Sequence, residues 1–191
     1  MSIIKERMEA ANRRYVAGKA ELPHPSVKFA ILTCMDARMD PVAFAGLSED
    51  AYVVRNAGGR VTEDAIRSLV VSAKMLGTKE WFVIHHTGCG MASFTNEEMR
   101  ALMKESRGPS RHTEKGWENT TDEAGAEGDV TMDFMPFVDP VESLIEDVKK
   151  LRAHPLVSPR IPIYGYMYDI ETGALTEIKE ASEAGSVDAR H

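Results

Sequence analysis

Three short apolar runs, KFAILTC at 28–34, AYVV at 51–54 and EWFVIH at 80–85, punctuate the first half of the chain. The first does not alternate with polar residues and predicts a strand buried on both faces, and the other two predict further strands. Between them the period changes. Residues 62–76, TEDAIRSLVVSAKML, follow helical spacing, with Thr62 as N-cap, Glu63 and Asp64 in the first turn and Gly77 after the end. Further helical patterns occupy 95–105 and 140–153, and two more strands, 161–168 and 174–178, flank an Asp169–Gly173 turn. Ile3, Ile4, Met8, Ala11 and Tyr15 space an amphipathic helix over 3–17, which Pro23, His24 and Pro25 bring to an end. Strands alternating with helices predict an α/β fold: a mostly parallel central β-sheet with flanking helices and a C-terminal edge hairpin.

The segment 106–132, SRGPSRHTEKGWENTTDEAGAEGDVTM, breaks this rhythm, being polar and glycine-containing with almost no aliphatic side chains. It predicts a surface insertion, because too little chain follows it for a second core. The expected organisation is one domain over 1–180, with 1–22 as a helical arm, 106–132 as a polar surface insertion and 181–191 as a loose tail. A chain of 191 residues that is 43% hydrophobic offsets its ordering entropy by burial, which excludes overall disorder. Two cysteines exclude a disulfide scaffold. A net charge of −7, from 23 basic and 30 acidic residues, argues against broad electrostatic binding to nucleic acid. No run reaches the roughly 18–20 apolar residues of a membrane span. The opening MSIIKERMEAANRRY lacks the apolar centre of a secretory signal. A cytoplasmic protein without nucleic-acid or membrane partners is expected.

Cys34 and Cys89 each fall at or just past the C-terminal end of an apolar run, the edge where open parallel sheets bind ligands. Asp36 and Arg38 follow Cys34, and His86 stands three residues before Cys89. Two thiolates, an imidazole and a carboxylate suit zinc or another borderline-soft metal rather than magnesium or calcium. The same residues also fit an ordinary alternative, two inert thiols buried in a core. A Cys34–Cys89 disulfide does not suit a reducing compartment. Gly58 and Gly59 lie between a strand and the Thr62 helix. They fit a turn needing positive φ or a loop whose amides face a ligand. His85 falls on the opposite side of its strand from His86, a hydrogen-bonded histidine off the metal. His24, His112, His154 and His191 fall in loops or on exposed faces.

ILTCMDARMDP, VVRNAGGRVTEDAIRSL and VIHHTGCGM together resemble the β-class carbonic anhydrases, in their small single-domain bacterial and archaeal branch. The likeness covers roughly 1–105 and resumes at about 138–178. It implies one zinc per chain, held by Cys34, His86 and Cys89, with an Asp36–Arg38 dyad beside it. Asp36 would either fill the fourth zinc position and close the site, or pair with Arg38 and leave that position to water. The implied reaction is reversible hydration of carbon dioxide to bicarbonate and a proton through a zinc-bound hydroxide, by a carbonate dehydratase. Gly59 would then line the substrate pocket, while Arg55 and Asn56 would tie its loop to the surroundings. The resemblance further implies a homodimer or a higher even homo-oligomer. Two features depart from the family pattern: glycine at position 88, where relatives often carry a charged residue, and the length of the 106–132 insertion. Relatives on the same scaffold hydrolyse carbonyl sulfide or carbon disulfide, which is the alternative reading. A structural or regulatory zinc module without turnover is the third.

Overall fold

A computed structural model describes residues 2–18, 28–45 and 51–187. Pro23, His24, Pro25 and His191 lie outside them.

The predicted strands form one five-stranded sheet. In chain order they are β1 (Phe29–Cys34), β2 (Ala51–Asn56), β3 (Glu80–His86), β6 (Ile163–Tyr168) and β7 (Leu175–Glu177), with spatial order β2-β1-β3-β6-β7. The first four are parallel, and β7 returns antiparallel to β6 as the edge hairpin. Every residue of β1 is buried, as an uninterrupted apolar run in a central parallel strand requires. The Asp169 carboxylate shapes the hairpin turn by accepting from the Glu171 and Thr172 amides, and Gly173 supplies φ 75°.

One face of the sheet carries the main core. Ala30, Leu32, Val83 and Ile163 pack there against Ile66 and Leu69 of α3 (Glu63–Val71) and against Leu144, Val148 and Leu151 of α5 (Pro140–Ala153). Thr62 caps α3 by accepting from the Ala65 amide, and Asp139 caps α5 from the Val141 and Glu142 amides. The pattern over 62–76 is a single helix to Val71. It then widens into a π-helical turn, Ser72–Leu76, which the left-handed Gly77 ends. On the opposite face Phe29, Ile31, Phe82, Ile84 and Tyr166 form a second cluster with Cys34 and Cys89 at its carboxyl end.

Helix α1 (Ile3–Gly18) buries none of its residues against the rest of the chain. The short α2 (Pro41–Ala45), which the periodicity does not reveal, follows β1. Helix α4 (Asn96–Glu105) starts at a full Thr95–Glu98 capping box. The polar segment after it contains a hairpin, β4 (Ser110–Thr113) with β5 (Gly116–Asn119), docked on α4 where the Asn119 amide donates to the Leu102 carbonyl. The expectation of a loose tail from 181 does not hold for its first residues. They complete α6 (Lys179–Ala184), whose Ala181 is buried against Gly165 of β6. Among the described residues no helix is long and apolar enough to cross a membrane.

Candidate metal centre

From β1 the chain moves to β2 on one side, whereas β3 pairs with β1 on the other. The carboxyl ends of β1 and β3 thus flank the point where strand order reverses, which is where such sheets open a crevice. Cys34 ends β1 and His86 ends β3. Gly88, at φ 61°, then turns the chain so that Cys89 comes back beside them. This left-handed turn is a physical reason for glycine at that position, and the Gly88 carbonyl accepts from Arg38 Nη2 at 3.2 Å.

The ligand atoms of Cys34, His86 and Cys89 all lie within 4.8 Å of one another, and all three residues are buried. The two Sγ atoms are 4.0 Å apart. Thiolates bound tetrahedrally to one zinc at about 2.3 Å would stand about 3.8 Å apart. His86 Nδ1 sits 2.8 Å from the Thr87 carbonyl, to which it donates. Its Nε2 is left as the lone-pair nitrogen, buried and without a hydrogen-bond partner. Two convergent sulfurs and an orphaned imidazole nitrogen fit zinc.

The charges agree with that fit. A hydrogen bond from Cys89 outweighs burial and lowers the Cys34 thiol to about 4, helped by His86 and by the Asp36 and Gly58 amides. The same contact, with burial, pushes the Cys89 thiol up. The pair therefore shares one proton, as thiol and thiolate, until a cation displaces it. Burial opposes charging His86, but the Cys34 sulfur and the Thr87 carbonyl outweigh it and raise its pKa. Metal binding here must release protons and must weaken as pH falls.

Asp36 is turned to Arg38. Its Oδ1 accepts from the Arg38 backbone amide and Nε, both at 2.9 Å, and its Oδ2 from Nη2 at 2.6 Å. Oδ2 also lies 3.9 Å from His86 Nε2, so the carboxylate borders the cluster. Arg38 holds the Asp36 carboxyl well below the usual carboxylate range, and Asp36 raises Arg38 in turn. Arg55 donates from Nε to the Cys34 carbonyl and from Nη2 to the Asp36 carbonyl, fixing the turn between them. Asn56 donates to the Arg60 carbonyl and closes the glycine loop.

Within that loop the amide aimed at the Cys34 sulfur is that of Gly58. Gly59 is buried at φ 69°, and a Cβ there would come within 2.9 Å of the Cys34 nitrogen and the Thr33 carbonyl carbon. Backbone against backbone cannot yield. Gly59→Ala is expected to cost about 1–3 kcal/mol in urea unfolding and to reduce zinc content together with it. Wild-type values for both would show that the loop moves freely away from β1.

His85 faces away from the cluster, as strand alternation predicts. Its Nδ1 donates to the Pro140 carbonyl at 3.3 Å, while its Nε2 faces Asp147 Oδ2 at 3.4 Å without forming an aligned hydrogen bond. Asp147 accepts from Arg60 Nε at 2.7 Å. The sequence reading missed this buried Arg60–Asp147–His85 group. Its legible signal was an acid in the apolar stripe of α5, beside Leu144, Val148 and Leu151.

A parallel sheet with a Cys–His–Cys cluster at its switch point defines a class of α/β protein with a site compatible with a metal at the strand ends. The carbonic anhydrase family profile matches residues 29–175. Beta-carbonic anhydrase 1 of Mycobacterium tuberculosis is 35% identical over 172 residues, spanning 88% of this chain and 94% of the relative. The carbon disulfide hydrolase of an Acidianus species is 36% identical over 151 residues, 76% of this chain and 74% of the relative. The crystal structure of a carbonic anhydrase from Streptococcus mutans superposes with a TM-score of 0.75 at 39% identity, covering 93% of this chain and 98% of that one. The chain belongs to the β-carbonic anhydrase family.

Proposed function

We propose that this protein catalyses the reversible hydration of carbon dioxide to bicarbonate and a proton, with one zinc per chain held by Cys34, His86 and Cys89. The observation that carries the reading is the pairing of Asp36 with Arg38 beside the three-ligand cluster. That pairing leaves a fourth position open, whereas a purely structural site would be closed by a fourth protein ligand. Zinc held there would lower the pKa of a bound water, less far than at a three-histidine site because two thiolates offset its charge, and would supply a nucleophile for an electrophilic carbon.

The chain's own residues do the rest. Arg38 occupies both Asp36 oxygens and fixes the carboxylate plane. Oδ2, beside His86 Nε2, is the atom that would accept a hydrogen bond from the attacking group and so orient it. The Cys34 and Cys89 surroundings are apolar, with Met39, Met91 and Phe137 packed around them, which suits an uncharged linear substrate. Gly59 acts in this pocket through the Cys34 backbone that it supports. The unpartnered apolar stripe of α1 supports a homodimer or higher even oligomer, and the reading places the protein in the cytoplasm. The carbon disulfide hydrolase relative favours a second reading, hydrolysis of carbon disulfide or carbonyl sulfide at the same site.

Stopped-flow hydration of carbon dioxide on metal-assayed protein, across about pH 6.5 to 9, tests this. One zinc per chain and a single rising limb are expected. Asp36 stays ionised throughout that window because Arg38 depresses its pKa, so the dyad adds no second break. Arg38→Ala is expected to keep the zinc and lower hydration by about 100-fold or more, since Asp36 is then free to take the fourth position. Zinc with negligible hydration but clear sulfide release would transfer the assignment to the sulfur substrates. Zinc with neither would leave a structural module.

A further inference from the structure

The segment between α4 and α5 ends beside the candidate metal centre, where Phe137 packs against the cluster that holds Cys34 and Cys89, and side-chain hydrogen bonds tie it to α4. Asn96 donates to the Asp133 carboxylate and accepts from the Phe134 amide, while Arg100 donates to the Met132 carbonyl. Met135 has φ 55°, the one positive φ outside glycine among the described residues. This conformation is strained for an ordinary side chain and persists only where the surroundings impose it. Here they do: the Met135 amide donates to Asp133, and its carbonyl accepts from buried Arg60 Nη1 at 2.8 Å.

That forced bend delivers Phe137. Its ring lies parallel to His85, with centroids 5.8 Å apart, and the Arg60 guanidinium sits 5.6 Å from the ring centroid. Its amide donates to the Met91 carbonyl, in the loop just after Cys89. A Cβ on Gly58 would meet Met91 Cγ at 3.0 Å, Arg60 Cγ at 3.2 Å and the Phe137 Cε1 atom at 3.3 Å. Gly58 is the residue whose amide reaches the Cys34 sulfur. The ring edge therefore stands beside Gly58, and with Met91 it packs against the cluster that holds Cys34 and Cys89.

We propose that Phe137 is a specificity-determining residue of this site: gripped by Arg60 and His85, it forms with Met91 the fixed apolar wall that limits how wide a linear substrate can be. The inference rests on the functional reading above. Sulfur is larger than oxygen, and a wall that cannot retreat discriminates by size, which an apolar pocket does only through such contacts. Removing the ring takes no ligand from the cluster and no partner from Asp147.

Phe137→Ala and Phe137→Leu test it by two readouts. With zinc, the ratio of kcat/KM for carbon disulfide to that for carbon dioxide is expected to rise about 10-fold or more in Phe137→Ala and by an intermediate factor in Phe137→Leu. With cobalt in place of zinc, visible absorption reports the binding of cyanate and thiocyanate, which differ as carbon dioxide and carbonyl sulfide do. The thiocyanate-to-cyanate affinity ratio is expected to rise in parallel. A cobalt-loaded variant with an unchanged affinity ratio overturns the proposal, and so does loss of metal from both variants, which would give Phe137 a purely structural role. If the wild-type protein turns over neither gas, the functional reading fails while the anion ratio still decides the role of Phe137.

Discussion

Cys34→Ser is expected to leave the chain folded and strip it of zinc, from one per chain to less than about a tenth, with carbon dioxide hydration falling at least about 1,000-fold. The substitution changes one atom in the central strand β1, where Cys34 is 4% exposed. A serine hydroxyl fills nearly the same space, but it does not ionise near neutral pH. It therefore brings neither the charge nor the softness that zinc takes from a thiolate. Cys34 is the sensitive choice because its surroundings already favour the ionised sulfur, through Cys89, His86 and two backbone amides. Elemental analysis after dialysis, with far-ultraviolet dichroism for folding, separates the readings sharply. If the two cysteines were merely buried thiols, the wild-type chain itself would carry no zinc and the substitution would change nothing but packing. If zinc were structural, its loss would unfold the chain. Retained fold with lost metal and lost turnover is the outcome that a catalytic centre at the edge of a preformed sheet requires.

The sheet was readable because its central strands are buried on both faces, which forces continuous apolar runs at 28–34 and 80–85. The site was readable for a related reason. Strand ends in a parallel sheet are ligand positions, and the chemistry-bearing residues Cys34, Asp36, His86 and Cys89 cluster at two of them. Elements held by polar contacts left no such trace. Strands β4 and β5 pair through SRHT and GWEN, where only Trp117 is large and apolar, and the hairpin docks by hydrogen bonds such as Trp117 Nε1 to the Ser93 carbonyl. Helix α6 is short and Ala-rich, and it is fixed by close approach rather than by bulk: a Cβ on Gly165 would sit 2.4 Å from that of Ala181. Side-chain pairings outside the strand-end motifs were not legible. Nothing in the glycine loop announces that Arg60 pairs with a carboxylate 87 positions away.

That pair carries the second large effect. Arg60→Met is expected to lower the unfolding free energy by about 3–5 kcal/mol, because it strands a carboxylate in the core. Arg60 is 8% and Asp147 1% exposed, so water cannot take over the lost contacts. Burial alone would raise the Asp147 pKa, but His85 and Arg60 outweigh it and hold it below its ordinary value. A depressed carboxylate stabilises the fold above its unfolded pKa of about 3.9, and that contribution drains away as pH falls through the lower folded value. Without Arg60 the balance reverses toward desolvation. The folded pKa should then climb, and the variant should lose less stability than wild type between neutral pH and about pH 4. Asp147→Leu alone is expected to cost a similar amount, by stranding the guanidinium. Combined with Arg60→Met, however, it should cost clearly less than the sum of the two, since two apolar side chains of similar size leave nothing uncompensated. Urea titrations of the four proteins at neutral pH and near pH 4 measure both effects. Strict additivity would mean that Arg60 stabilises through the Met135 carbonyl and the Phe137 ring rather than through Asp147. The load would then lie on the segment beside the candidate metal centre and not in the ion pair.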